Sequence, residues 1–433
     1  MNFSRPFLQE ESVHKTVLEN GVRVVVDRIE HSSSVCVCVG VLGGLRSESP
    51  ESAGITHLLE HVLFRRTATK SSKTVAKIID SFGGDINGYT DTDGMYLYAH
   101  VPKQQAGAAL RFLGELLLSP TFTDEDVELE KEIIKQEILD AHDNPPTVIY
   151  EAFCELMWSG SQLALPIYGS IDTVGSFDRR ALQELRESSL CGKKVLIAAA
   201  GAVDQQEFVD VCRELFENFD MGSEPSREQV ACSHGFAVKP QSVGQSYLTL
   251  GFPWEHLSSE SYYQGLVASY IVGEMMSSRL FQKVREEHGL AYDISSEIDA
   301  HIDTAALLIN LAAEPKNMQR AVELVMEQLD DVKQSILDEE VELAIGSLAA
   351  HLAMTSDSIT ARMWRCFESE LYFGRHVTLA EVLRKVEAAD TEILQKLYIS
   401  HLAEGKACGV IGGETQEYKP SRKLLKCCGA EAN

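Results

Sequence analysis

The chain has 433 residues, 44% of them apolar and 24% charged, which is an ordinary globular balance and enough length for two domains or more. Its formal net charge of −26 argues against binding to nucleic acid or to an anionic membrane, and it permits the attraction of basic ligands. No apolar run reaches membrane-spanning length, and Met1–Lys15 resembles neither a secretory signal nor a transit peptide, so we expect a cytoplasmic protein.

The periodicity of apolar residues predicts the elements of the first half. In chain order these are paired strands at 21–29 and 34–42, a helix containing His57–His61, a helix at 74–82, strands at 86–90 and 95–101, helices at 104–118, 124–142 and 147–158, a strand at 194–199 and a helix at 204–218. Cys36 and Cys38 alternate with valines in the second strand, and none of the ten cysteines forms a CxxC pair. We therefore expect free thiols rather than a disulfide framework.

Residues 219–235 are polar and contain Gly and Pro, which predicts a linker between domains at 1–218 and 236–433. The second half then repeats the same types of element. They are a strand at 243–250, helices at 259–275 and 277–288, strands at 290–299 and 303–312, and helices at 316–334 and 338–355.

The two halves also show an internal repeat. Residues 124–129 match residues 338–343 at an offset of 214. The same offset places His57 on Ile271 and His61 on Met275. The repeat predicts two α/β domains of one fold, of which only the first carries the two histidines.

The stretch His57-Leu58-Leu59-Glu60-His61 has the form H-x-x-E-H. On a helix its two imidazoles point the same way, because they are one turn apart, and they can occupy two corners of a tetrahedral Zn²⁺ site. Glu60 shares that face and could hold a water beside the metal. On these five residues alone, a packed core helix that happens to hold two histidines is an equal alternative.

A catalytic zinc needs a third protein ligand and an open position. On the predicted helix 124–142, Glu130 and Glu137 fall on the same side as an apolar stripe. A carboxylate on a core-facing stripe is costly unless it is paired or bound to a metal. The alternative is that both glutamates lie at the edge of the stripe in contact with water.

Together these residues resemble the pitrilysin/insulinase family of inverted-zincin metallopeptidases, which includes the mitochondrial processing peptidases. The resemblance extends to residues 63–67, to Gly83–Thr90 and to the acidic helix, and in the second half to Ser277–Tyr292. It covers about residues 20–415, with three motifs in the order and spacing of the family. It implies an α+β fold of two homologous α/β domains, each a mostly antiparallel sheet with helices packed on one face.

The resemblance implies a role for each matching residue. In the family a glutamate about 76 residues beyond the second His completes the site for one Zn²⁺ per chain, and this position is Glu137. A glutamate one heptad earlier, here Glu130, supports the site. The other implied roles are Glu60 as the base, Asn87 and Gly88 as contacts for an extended peptide, and Arg285 and Tyr292 as substrate contacts near the scissile bond. Relatives often carry Ala at position 88, so Gly implies a looser backbone there.

The expected function is that of a zinc endopeptidase, which binds peptides or unfolded segments in extended form inside the chamber of a dimer. The chain resembles the short, dimer-forming branch of the family, and it carries both halves of the constellation, so we expect a homodimer, or a heterodimer with a paralogue. The negative charge favours basic peptides. The alternatives are a non-catalytic core or scaffold subunit of the same fold and a peptide-binding module with a structural zinc.

Overall fold

A computed structural model describes residues 11–225, 227, 229–416 and 418–430. Its first half contains β1 (Val13–Val17), β2 (Arg23–Arg28), β3 (Ser34–Leu42), α1 (Ile55–Leu63), α2 (Ser72–Phe82), β4 (Asp85–Thr90), β5 (Gly94–Pro102), α3 (Ala106–Leu118), α4 (Asp124–His142), α5 (Pro145–Met157), α6 (Ile171–Ser176), α7 (Arg179–Ser189), β6 (Val195–Gly201) and α8 (Gln205–Phe216). The described residues between Phe216 and Gly235 form neither helix nor strand, and the division into domains there stays a prediction.

The second half begins at Gly235 and has a similar order of element types, except that it starts with two strands rather than three and has one α-helix rather than two before its next strand. It contains β7 (Gly235–Pro240), β8 (Ser246–Pro253), α9 (Tyr262–Ser269), β9 (Ala291–Ala300), β10 (Ala305–Ala313), α10 (Pro315–Gln334), α11 (Asp338–Thr355), α12 (Ile359–Phe373), α13 (Leu379–Glu387), α14 (Thr391–His401), β11 (Cys408–Gly413) and α15 (Arg422–Cys427). Two π-helical segments, Tyr270–Glu274 and Phe281–Glu287, lie between α9 and β9.

The two sheets share one topology, which confirms the predicted pair of homologous α/β units. The first sheet has the order β1-β2-β6-β3-β5-β4, and the second has the order β7-β11-β8-β10-β9. Each sheet contains one parallel pairing, β2 with β6 in the first and β7 with β11 in the second. The pairs that follow it in the strand order are all antiparallel. The helices α4 and α11 begin at Asp124 and Asp338, the offset of 214 residues found in the sequence.

One strand pairing predicted from the sequence is wrong. Residues 21–29 and 34–42 were expected to pair, and they do form strands, but β2 pairs with β1 and β6 while β3 pairs with β6 and β5. The strand β6, more than 150 residues away in the chain, lies between them. Neighbouring β-rich segments suggest a hairpin, and the local pattern carries no information about a strand that inserts from so far along the chain.

Most helices of each half lie on one face of its sheet, and one helix from the other half covers the opposite face. The helix α12 of the second half packs on β2, β3 and β6, and α5 of the first half packs on β7, β8 and β11. As a result β3 is buried on both faces, with Val37 in one core and Cys36 and Cys38 in the other. Each sheet therefore depends on the other half of the chain for its second layer.

Glycines let these exchanged helices approach closely. A Cβ atom on Gly40 of β3 would lie 2.4 Å from the ring of Phe367, and a Cβ atom on Gly251 of β8 would lie 2.4 Å from the ring of Phe153. Both aromatic rings are fully buried. The same device, a phenylalanine seated on a strand glycine, thus fixes both helices and is a further trace of the duplication.

All ten cysteines are free thiols, and eight of them are buried, including Cys427 and Cys428 in the core of the second half. Within the described part of the chain, no helix combines the length and the apolar character needed to cross a bilayer.

Candidate metal centre

The helix α1 forms one wall of the candidate site and is held from its N-terminus. Its apolar residues Leu58, Leu59, Val62 and Leu63 are buried in the core of the first half. The buried carboxylate of Glu48 accepts hydrogen bonds from the backbone N–H groups of Gly54 and Thr56, at 2.8 and 2.9 Å, and so satisfies donors that a helix start leaves open. With one side anchored, the histidines of this helix point away from the core.

The helix α4 forms the opposite wall. Thr123 caps its first turn by accepting the N–H of Asp126 at 3.1 Å, and three acidic residues in that turn suit the helix dipole. Arg66, just beyond the end of α1, binds both carboxylate oxygens of Asp126. This pair fixes α4 against α1 close to the histidines.

The two helices bring His57, His61 and Glu137 together. One possible ligand atom from each lies within 4.8 Å of the others. The Nε2 atom of His57 lies 3.9 Å from one carboxylate oxygen of Glu137, and the Nε2 atom of His61 lies 3.8 Å from the other. Zn–N and Zn–O bonds of about 2.0–2.1 Å place tetrahedral ligand atoms about 3.3 Å apart, so small movements of these side chains suffice to hold a zinc ion.

Protonation and hydrogen bonding also fit a metal. Burial, and then the neighbouring His61, lowers the pKa of His57 to about 4, so its imidazole is neutral and free to donate a lone pair. The buried Nδ1 of His57 has no hydrogen-bond partner among the described residues. Two imidazoles in their neutral form and one carboxylate are a typical set of protein ligands for a zinc ion whose fourth position is open. The residues present therefore fit this ion.

Glu130 contacts His61 on the ring nitrogen that does not face Glu137. Its carboxylate lies 3.0 Å from Nδ1 of His61, which leaves Nε2 directed at Glu137. Burial lowers the pKa of His61, but the hydrogen bond to Glu130 and the surrounding carboxylates outweigh it, and the net shift is upward. Arg65 lies 3.4 Å from the other oxygen of Glu130 and balances its charge. Glu130 is therefore a positioning residue.

Replacing Glu130 with Ala should weaken zinc binding about 10- to 100-fold, because His61 loses the acceptor that orients its ring. Glu130→Gln, which keeps an acceptor oxygen, should lose less. Competition with a zinc-chelating dye measures both, with Glu132→Ala as the control, since Glu132 lies on the same helix and its side chain is 65% exposed. Equal zinc affinities for Glu130→Ala and the control would contradict the role given to Glu130.

Glu60 borders the same space but is not part of the ligand cluster. It is 7% exposed, and burial raises its pKa to about 7, with the charges of Glu137 and Glu130 adding to the rise and that of His61 opposing it. A carboxyl group whose pKa lies near neutral pH can both accept and return a proton.

The edge strand β4 forms the third wall. Among the residues that the structure describes it is the last strand of its sheet, so one side of its backbone has no strand partner there, as predicted for Asn87 on an edge strand. Asn87 is exposed, and its side-chain oxygen accepts the N–H of Gly88 at 2.9 Å. A Cβ atom on Gly88 would lie 2.6 Å from Oε1 of Glu60, and the looser backbone expected at this glycine stays a prediction. The strand passes tightly over the carboxyl group.

Between α1, α4 and β4 lies a cavity of about 540 Å³ that is open to solvent. The residues Phe64, Arg65, Tyr89, Thr90 and Ile167 also line it, and sequence analysis gave none of them a role. The dipeptide Arg65-Arg66 stood inside a matching segment, but only the structure shows that its two guanidinium groups reach α4.

Arg285 and Tyr292 do not line this cavity within the chain. They lie together in the second half, where the guanidinium of Arg285 sits 5.6 Å from the ring of Tyr292, whose side chain is 79% exposed. Their contact with substrate stays a prediction about a second copy of the chain.

Comparisons with known proteins agree with this architecture. A model of the insulinase peptidase family M16 matches residues 23–171, and a model of the M16 peptidase inactive domain matches residues 176–348. The chain is 28% identical to an uncharacterized zinc protease of Bacillus subtilis over 92% of its own length and 98% of the relative's. It is 30% identical to an uncharacterized zinc protease of Mycobacterium tuberculosis over 92% of each.

Solved structures share the fold at lower identity. A protease from Helicobacter pylori superposes with a TM-score of 0.86 at 18% identity, covering 94% of this chain and all of that one. An M16 inactive domain from Pseudomonas fluorescens gives a TM-score of 0.87 at 17% identity over 94% and 99% of the two chains. The matching domain models and the full-length relatives lead to one conclusion: this chain belongs to the insulinase (M16) family of peptidases.

Proposed function

We propose that the chain is a zinc-dependent endopeptidase that cleaves extended peptides or unfolded segments. The observation that carries the proposal is the convergence of His57, His61 and Glu137 within 4.8 Å beside a buried carboxyl group, Glu60, and an open strand edge. The names of the relatives, uncharacterized zinc proteases, support the choice of metal.

The chain's own residues would divide the work as follows. His57, His61 and Glu137 would hold one zinc ion, which when bound supplies a Lewis acid for the scissile carbonyl and a more acidic water. The open edge of β4 would bind the peptide as an added strand and so fix the scissile bond above Glu60. Glu60 would accept a proton from the attacking water and return it to the leaving amine.

The test is metal analysis together with hydrolysis of a quenched basic peptide of about ten to twenty residues, long enough to lie along a strand edge. We expect about one zinc per chain, loss of cleavage with a chelator and recovery when zinc is returned. Zinc without cleavage would indicate a missing partner subunit. If the protein contains no zinc and cleaves no peptide, the result would favour the non-catalytic scaffold, which is the alternative from sequence analysis. The match to the inactive-domain model begins at residue 176, beyond the residues of the metal centre, and it covers Ile271 and Met275, which stand in place of the histidines in the second half; it leaves that alternative open.

We further propose that the active unit is a homodimer in which Arg285 and Tyr292 of one chain serve the metal centre of the other. Two observations support this arrangement: neither residue lines the metal cavity of its own chain, and Tyr292 is exposed. It makes a sharp prediction for mixed variants. Glu60→Gln and Arg285→Ala should each be inactive alone, and mixing them should restore cleavage, because one of the two sites in a mixed dimer then has both residues intact.

The measurement is cleavage rate against mixing ratio, with a maximum expected near equal amounts. A chain that is monomeric at assay concentration and fully active would refute the dimer, and so would an inactive mixture in which the two variants are shown to exchange subunits.

A further inference from the structure

A second cluster of cavities lies beneath β4, on the face of the sheet opposite the metal centre. One cavity of about 550 Å³ is bordered by Tyr89, Trp364 and residues of α11 and α13, and another of about 330 Å³ by Tyr262, Tyr372 and their neighbours. Both are lined by Arg365 and Glu368 of the exchanged helix α12. Glu368 therefore stands at the junction of the two cavities.

Glu368 has no partner for its charge in the described part of the chain. It makes no hydrogen bond or ion pair there, although it is open to solvent through the cavities. Burial by the surrounding walls, and then the charge of Asp91, raises the pKa of Glu368 to about 7. Arg365, one turn earlier, does not neutralise it, because its guanidinium binds Glu11 instead. Glu368 is therefore a solvent-exposed carboxylate at the junction of the two cavities, with no cation paired to it in the described part of the chain.

Aromatic rings surround this carboxylate. The rings of Tyr89 and Trp364 are 5.2 Å apart in an edge-to-face contact. The pKa values of the hydroxyls of Tyr89, Tyr262 and Tyr372 are raised first by burial, and the negative charge of Glu368 adds to each, so all three lie close to it. An exposed carboxylate in cavities that aromatic rings also line is suited to an organic cation, which gains both an ion pair and cation–π contacts. An anion would be repelled, and an apolar group would leave Glu368 unpaired.

The pleat of β4 connects this cluster to the proposed peptide-binding edge. Gly88 faces Glu60 on the metal side, whereas the next residue, Tyr89, faces Trp364 on the opposite side. A peptide added to the edge of β4 would alternate in the same way. The side chain directly opposite Tyr89 would then enter the cavity beside Glu368, while its neighbours along the peptide face the metal.

We propose that Glu368, with Tyr89, Trp364, Tyr262 and Tyr372, forms a subsite for a lysine or arginine side chain of the peptide substrate. The inference rests on the proposed function, since it assumes that the peptide lies along β4. It narrows the substrate class from peptides that an acidic protein attracts in general to peptides with a basic residue at one fixed position in the strand.

The test separates binding from cleavage. Fluorescent peptides that contain one lysine, scanned through successive positions, are titrated against the full-length Glu60→Gln variant with zinc present, and each is compared with the same peptide acetylated at that lysine. At one position acetylation should weaken binding about tenfold, because it removes the cation but keeps the chain length. In a chain that also carries Glu368→Gln, the same acetylation should have almost no effect.

The control for Glu368→Gln is Glu339→Gln, because Glu339 is an exposed glutamate on α11 outside both cavities. It should keep the full effect of acetylation, and a melting curve checks that each variant is folded. If Glu368→Gln does not fold, Trp364→Leu replaces it, since losing the aromatic face should reduce the same effect severalfold. An acetylation effect that is equal in all variants, or absent at every position, would overturn the subsite.

Cleavage by the unmodified chain is measured in parallel. Charge-dependent binding through Glu368 without any cleavage would support the subsite and would contradict the proposal that this chain, alone or as a homodimer, is an active peptidase. Cleavage with no dependence on Glu368 would refute the subsite alone.

Discussion

Glu60→Gln is expected to lower peptide cleavage by about 10²- to 10⁴-fold or more while zinc stays bound, because the amide cannot accept a proton. Glu60 borders the metal cavity but is not one of the three clustered ligands, so its replacement should not release the ion. Gln has the same shape, so the close contact with Gly88 is preserved. Since burial already raises the pKa of Glu60 to about 7, a neutral side chain should leave the fold stable.

The measurement pairs steady-state cleavage with zinc content and melting temperature for the same preparation. Glu128→Gln on α4 is a suitable control, because the side chain of Glu128 is 66% exposed and its ion pair, with Lys131, lies within its own helix. Loss of zinc in Glu60→Gln would mean that Glu60 holds the metal. Full activity with zinc bound would mean that the base lies elsewhere, and the proposed chemistry would fail.

Local signals in the sequence were enough for the two helices that build the metal centre. The helix α4 runs from Asp124 to His142, as predicted, because Thr123 caps it and two prolines follow it. The apolar stripe alone left Glu130 and Glu137 ambiguous, and the structure separates them, with side chains 7% and 43% exposed. Only the family resemblance had singled out Glu137 as the ligand, because stripe position does not tell a buried glutamate from one at the mouth of a cavity.

The exchanged helix α12 shows what local pattern cannot give. Sequence analysis predicted nothing beyond residue 355, although α12–α15 and β11 follow. Periodicity treats charged residues as solvent-facing, but Arg362 and Glu370 of α12 are buried against charges from the first half. Their burial depends on partners more than 330 residues away in the chain, so their role appears only in three dimensions. The same reason hid Glu368 and its cavities.

A buried ion pair between Asp27 of β2 and Arg362 of α12 joins the two halves. Two hydrogen bonds, of 2.6 and 2.8 Å, join the carboxylate to the guanidinium, and the two side chains are 0% and 3% exposed. Asp27→Ala should lower the free energy of unfolding by about 3–5 kcal/mol, because it removes the carboxylate that makes two hydrogen bonds to a buried guanidinium. Combining Asp27→Leu with Arg362→Met should recover most of that loss, since an apolar pair removes both charges.

Urea unfolding followed by tryptophan fluorescence and by far-ultraviolet circular dichroism measures the change, and Trp364 on α12 reports on the exchanged helix itself. Glu184→Gln is the matched control, because it breaks an exposed pair with Arg180 whose contribution is under about 1 kcal/mol. If fluorescence changes at lower urea than dichroism in Asp27→Ala, α12 leaves the first sheet before the halves unfold. A variant as stable as the control would mean that apolar packing, with Phe367 seated on Gly40, holds α12 without the ion pair.

In the expected case, the half with the metal centre is stable only while the second half keeps α12 in place. Because α12 also carries Glu368, the same tie then holds the proposed subsite for basic residues beneath the peptide-binding strand.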